Sequence, residues 1–133
     1  MIIRISRIMI ENKVRFIMQD SETLQIMIAL SIYEAYLSKK WTSHNSVYGA
    51  LQKLSYIFVW ANQYNIDVNS TLLSGEMLQP KHVNTFGAWL CQIGKSEGKL
   101  PLQPATINAI LTRTSLAFRW FADQYVTLNC RAS

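Results

Sequence analysis

The chain has 133 residues, 50% of them apolar and 16% charged, with thirteen bases against eight acids and a net charge of +5. That is one domain's worth of chain with enough apolar side chain for a core, which excludes intrinsic disorder. No uncharged apolar run of membrane-spanning length occurs and no secretory leader opens the chain, so the expected setting is cytoplasmic, with no membrane partner.

Residues 1–20 differ in texture from the rest. Ile2–Ile10 and Val14–Met18 are β-branched and apolar, and Glu11-Asn12-Lys13 separates them. Two such runs with a short polar connection predict a β-hairpin. Alternation slips near Arg7, which predicts a bulge or a loose first strand there. From Ser21 the period is helical. Leu24, Met27, Ile28, Ile32, Ala35 and Tyr36 recur at three-and-four spacing up to Lys39-Lys40 and predict a first helix with that face buried. Thr42 and Ser43 offer an N-cap for a second helix reaching about Tyr64. Its inward residues are Val47, Ala50, Leu51, Leu54, Phe58 and Ala61. Residues 65–78 read as a loop. Pro80 opens a third helix with a stripe of Val83, Phe86, Trp89, Leu90 and Ile93, and Gly94 is its expected stop. After a connector, Pro104 opens a fourth helix running to about Tyr125, with Ile107, Ile110, Leu111, Thr114, Phe118 and Phe121 toward the core. Leu116 and Trp120 make a second patch, with core the expected place for Trp120. The expected fold is mainly α: four helices in one compact bundle plus a short N-terminal β-hairpin. Trp60, Phe86, Trp89 and Phe118 are expected to be largely buried.

Several kinds of chemistry find no support. Cys91 lies in an apolar helical run and reads as a small core residue, and Cys130 stands near the end. His44 and His82 are far apart, so no zinc spacing exists and no metal or cofactor is expected. Gly94-Lys95-Ser96 mimics the tail of a phosphate-binding loop, but position 89 is Trp rather than Gly and the run ends a helix instead of starting one. No nucleophile, base and acid arrangement stands out.

The charge is uneven. No acid occurs between Glu34 and Asp67, where Lys39, Lys40 and Lys53 lie. None occurs between Glu97 and Asp123, where Lys99, Arg113 and Arg119 lie. These two acid-free stretches, which hold the second and fourth helices, therefore carry a positive excess among many Ser, Thr, Asn, Gln and Tyr residues, which also bond phosphates and base edges. A basic excess of this kind points to nucleic acid.

The stretch Pro104-Ala-Thr106-Ile-Asn108-Ala-Ile-Leu111, continuing to Phe118-Arg119-Trp120, resembles the last helix of the core-binding domain of tyrosine recombinases, the phage-integrase family. Upstream, Val83-x-x-Phe86-x-x-Trp89-Leu90 resembles that family's "Phe-x-x-Trp-Leu" helix. Ser46, Ala50, Leu54, Ile57 and Trp60 fall on its Thr-Tyr-Leu-Phe-Trp helix, with Ser, Ala and Ile as departures. The stretch from Tyr33 to Trp41 resembles the end of its first helix. The resemblance covers about residues 22–125. The hairpin is similar to a lead-in of some transposon-type members. The resemblance implies a core-binding (SAM-like) helical domain over 21–128, preceded by the hairpin over 1–20, that clamps a recombination site in a mobile element. It also implies that DNA integration or excision is catalysed by a further C-terminal domain, the domain's partner besides duplex DNA, with protomers assembling on the site. This stretch would then be no enzyme by itself. It has no H-x-x-R, since Val47 follows His44 and Thr85 follows His82 at that spacing.

Two surfaces are expected to touch DNA. The first is the junction of the first two helices, where Lys39, Lys40, Thr42, Ser43 and His44 meet a helix start whose amides and dipole favour an anion; Gln52 and Lys53 lie further along. Gly49, on that same outer side, suggests close approach of another backbone, most simply a packed helix. The second is the fourth helix, with Thr106 near its start, a stripe of Asn108, Thr112, Ser115 and Arg119, and Arg113 across the back. Asn suits adenine, and Arg suits guanine or phosphate. A helical protein–protein interaction module without DNA binding is the alternative reading. A helix-turn-helix regulator ranks below it, because no tight helix–turn–helix is visible.

Overall fold

The computed structural model describes residues 1–96, 98 and 100–132, and the side chains of these except 96 and 126–132. Lys99 and the side chain of Cys130 therefore lie outside the described residues. The elements in order are β1 (Ile3–Ile10), β2 (Lys13–Asp20), α1 (Ile28–Lys40), α2 (His44–Gln63), α3 (Val68–Leu73), α4 (Pro80–Ser96) and α5 (Pro104–Ala132). The protein is mainly helical, with a two-stranded antiparallel sheet at its N-terminus. It divides into two compact units, Met1–Asn69 and Ser70–Ser133.

In the first unit the hairpin turns on two residues, Glu11 and Asn12, both at positive φ (50° and 66°). That is the turn geometry whose twist matches paired strands, and Asn tolerates it well. Lys13 is already in β2. The ladder is unbroken from Ile3 opposite Asp20 to Ile10 opposite Lys13, so the expected bulge at Arg7 is absent. Arg7 is exposed on an edge strand, so its break in the apolar alternation needs no backbone adjustment. The face bearing Phe16 and Met18 is buried.

The edge of β2 that faces away from β1 is occupied by the chain that follows it. Asp20 N–H donates to Gln25 O at 3.0 Å, and Met27 N–H donates to Met18 O at 2.9 Å. Phe16 N–H donates to the Glu34 carboxylate at 3.3 Å. The same carboxylate takes two bonds from Arg15, from Nε at 2.8 Å and Nη2 at 2.7 Å, and one from Ser38 Oγ at 2.8 Å. Glu34 is only 2% exposed. Burial pushes its carboxyl up, but the bonds from Arg15, Ser38 and the Phe16 amide together outweigh that and hold it below the ordinary carboxylate range. One side chain thus ties α1 to β2 and closes an edge that would otherwise be open to pairing.

This pairing overturns the expected face of α1. Leu24, Ile28 and Ile32 are 60%, 56% and 40% exposed, while Ala29, Leu30, Tyr33, Glu34 and Leu37 are buried. The helix has a second apolar stripe offset by one residue, which Glu34 disguises. It also begins later than expected. Leu24 sits at φ 63°, and residues 25–27 run alongside β2 before the helix starts. Met27 gives no side-chain cap, and Asn69 Oδ1 instead accepts the Ala29 N–H at 2.8 Å.

α2 follows expectation closely. Ser43 caps it, its Oγ accepting the Ser46 N–H at 3.3 Å. Val47, Ala50, Leu51, Leu54, Phe58 and Ala61 are all buried, with Ile57 and Trp60 beside them. Asn65, at φ 56°, ends the helix, and Ile66 N–H returns to Ala61 O. The expected loop over 65–78 holds one short helix, α3, whose Val68 and Leu72 are buried.

In the second unit α4 and α5 begin at Pro80 and Pro104, as expected. α4 runs past Gly94. A Cβ at that glycine would collide with the Leu100 carbonyl, so it is a site of close backbone approach and not a stop. The turn is made at Gly98, at φ 70°. Phe86 and Leu90 are buried, but Val83 is 46% exposed and Trp89 only half-buried. Val83 lines an open apolar groove with Phe86, Leu111 and Phe118 instead of a closed core. Cys91 is exposed, not in the core. On α5, Ile110, Thr114, Phe118 and Phe121 are buried, with Ile107 and Leu111 half-buried. Trp120 is half-buried, its ring edge-on to Phe121, and Leu116 is 42% exposed.

Two predictions follow from this packing. Because the folded Glu34 carboxyl lies below its unfolded value, its contribution is complete above the ordinary glutamate value near 4.3 and fades as pH falls through the folded one. Thermal unfolding of wild type and Glu34→Gln from about pH 7 to pH 3 should show a gap that narrows with acid; a constant gap contradicts the role. Phe86→Ala should destabilise the second unit by about 3–5 kcal/mol in denaturant titration; a near-neutral result contradicts its place in the core.

Candidate nucleic-acid interface

A cleft of about 490 Å³ opens in the first unit where the hairpin turn meets the α1–α2 junction. Asn12, Lys13, Val14 and Arg15 line it from β2 and its turn, Ser38 and Lys39 from α1, and Trp41, Thr42, His44 and Val47 from the junction and α2. The arrangement follows from local structure. α1 runs back along β2 because Glu34 holds it there, so its C-terminal end arrives beside the hairpin turn. A three-residue link, Trp41-Thr42-Ser43, then points the start of α2 at the same place.

Three sources of positive potential converge. Lys13 and Lys39 are exposed and make no ion pair among the described residues. The first turn of α2 carries no acid, and its macrodipole adds partial positive charge. Ser43 caps only the Ser46 amide, which leaves the amides of His44 and Asn45 without a partner among the described residues. Arg15 also lines the cleft, but its charge is matched by Glu34 at 2.7 Å. Lysines, a hydroxyl, an imidazole and free helix-start amides are the donors that hold phosphate oxygens.

The expected residues divide on this geometry. Lys39, Thr42 and His44 are brought together. Ser43 adjoins them as the cap. Lys40 does not line the cleft: its Nζ donates to Tyr36 Oη at 3.1 Å and lies 5.5 Å from that ring's centre. Gln52 is exposed and Lys53 half-buried, two turns or more along α2. Gly49 has no packed helix against it; a Cβ there would meet only Lys53 Nζ, at 3.7 Å. Asn12, Lys13 and Arg15 are additions that the sequence reading missed. No local signal announces them, since a β-turn reaches a helix junction only through tertiary packing.

In the second unit Thr106, Asn108, Thr112, Ser115 and Arg119 are all exposed. At 100° per residue the last four fall within about 60° of one another and make a stripe about 16 Å long. Arg113 is half-buried and engaged within the chain, so it is not part of that stripe. No group of three or more His, Cys, Asp or Glu side chains suited to a metal occurs among the described residues. No helix there is long and apolar enough to cross a membrane. Comparison with protein-family models, curated proteins and solved structures found no match.

The geometry ranks the two neighbouring lysines. Lys39→Ala should lower the slope of log affinity against log salt for an arbitrary duplex by roughly one, and Lys40→Ala should change it less. Fluorescence anisotropy at several salt concentrations measures both; the reverse order contradicts the cleft as the phosphate contact.

Proposed function

We propose that the chain binds duplex DNA, and that it does so as the core-binding domain of a tyrosine recombinase. The observation that carries the first part is the convergence of Lys13, Lys39, Thr42 and His44 on the open N-terminus of α2. The second part rests on the resemblance of the α2, α4 and α5 motifs. In this reading α1, α2, α4 and α5 are the four helices of a SAM-like bundle, and α3 is an elaboration of the connection between α2 and α4. The cleft grips the phosphate backbone. The Asn108–Arg119 stripe lies along a groove and reads base edges or further phosphates. Strand exchange belongs to a C-terminal catalytic domain of the same protein, and this domain positions the recombination site for it.

A domain of net charge +5 neutralises few phosphates. Binding of the chain alone is therefore weak, micromolar or poorer, and falls steeply with salt. Asn108→Ala and Arg119→Ala should each lose about 1–3 kcal/mol of discrimination at one base pair, with little change in salt slope. The experiment is selection of bound duplexes from a random pool, followed by titration of the selected duplex and a scrambled one with wild type and each variant. Equal loss on both duplexes contradicts base reading. Binding that ignores salt contradicts the DNA reading and favours the protein-interaction module.

A further inference from the structure

The cleft of the first unit is larger and more apolar than a phosphate contact requires. Phosphate oxygens are held at a surface by point charges and amides. A paired duplex keeps its bases inside its own stack, so it puts nothing deeper into a recess. This recess is about 490 Å³, within the roughly 300–1,000 Å³ of small-molecule sites. Val14, Trp41 and Val47 give it apolar wall, and the exposed side chains of Lys13, Lys39 and His44 line it with them.

Trp41 selects the occupant. It closes α1, its N–H donating to Leu37 O at 2.8 Å, so the helix end fixes its backbone. Its side chain is half-buried and lines the cleft. An aromatic ring beside basic side chains is the combination that holds unpaired bases, the ring by stacking and the cations through the phosphate. An aliphatic ligand would use the walls and leave the lysines idle; a free phosphate would do the reverse. A nucleotide uses both. Asn12 lines the same cleft, and its side-chain amide can donate to or accept from a base edge.

We propose that the cleft takes the base of an unpaired DNA nucleotide, stacked on Trp41, with that nucleotide's phosphate on Lys13 and Lys39. The inference rests on the cleft being the phosphate contact, and it names what the phosphate brings with it. Every base has a π face, so the preference is for an unpaired base and not for one sequence.

The test compares three DNAs at one salt concentration by fluorescence anisotropy. They are a fully paired duplex, the same duplex with one unpaired thymidine at its centre, and that bulged duplex with an abasic site in place of the thymidine. The two bulged duplexes carry the same phosphates, so their difference isolates the base. The wild-type chain should bind the thymidine bulge about tenfold tighter than the abasic one. Trp41→Ala should erase that ratio and leave the abasic affinity within about twofold, because the phosphate contacts remain. Trp41→Phe keeps a ring for both packing and stacking and should retain part of the preference. Equal wild-type binding of the two bulged duplexes overturns this inference and leaves the phosphate contact standing. A preference that survives Trp41→Ala undiminished also overturns it. Wild type that binds none of the three DNAs overturns the phosphate contact itself, and the inference with it.

Discussion

The first unit depends on what happens at one carboxylate. A two-stranded hairpin is marginal in water and has two open edges. Glu34 takes bonds from Arg15, from Ser38 and from the Phe16 amide, so it ties strand to helix and fills one of those edges at once. Buried ion pairs stabilise little unless every bonding position is used. Here the donors are numerous enough to hold the carboxyl below its ordinary range despite burial. Removing one member would leave the other half-sheltered and short of partners. The pair also has a directional consequence: it lays α1 along β2, which carries Lys39 to the hairpin turn and starts α2 beside Lys13.

How much of this was legible in sequence depended on how local the signal was. Ser43, Pro80 and Pro104 mark helix starts by their own chemistry, and each start was placed correctly. The inward stripes of α2 and α5 were legible because each helix has one dominant apolar face. α1 misled because it has two, and the buried one contains an acid that only a partner 19 residues away makes tolerable. Gly94 misled because glycine serves both for turning and for close approach, and only the nearby Leu100 carbonyl tells which. α3 is too short to show periodicity. The cleft was half legible: the helix junction was recognised from Lys39, Thr42 and His44, whereas Lys13 and Arg15 arrive by packing that no spacing encodes.

The functional reading joins two surfaces with different chemistry. The cleft offers point charges and backbone amides, which grip phosphate without regard to sequence. The α5 stripe offers Asn108 and Arg119, which can pair with base edges. A recombination site has to be both held firmly and recognised, and a domain with one surface for each task suits that role.

The central claim is that DNA phosphate lies in the cleft between the hairpin turn and the start of α2. Its most direct test is amide-resolved NMR of the labelled chain titrated with a short duplex. The account predicts that the first and largest shifts fall on residues 12–15 and 39–47, with the amides of His44 and Asn45 moving most. Shifts absent from both segments while the duplex binds elsewhere on the chain would contradict it.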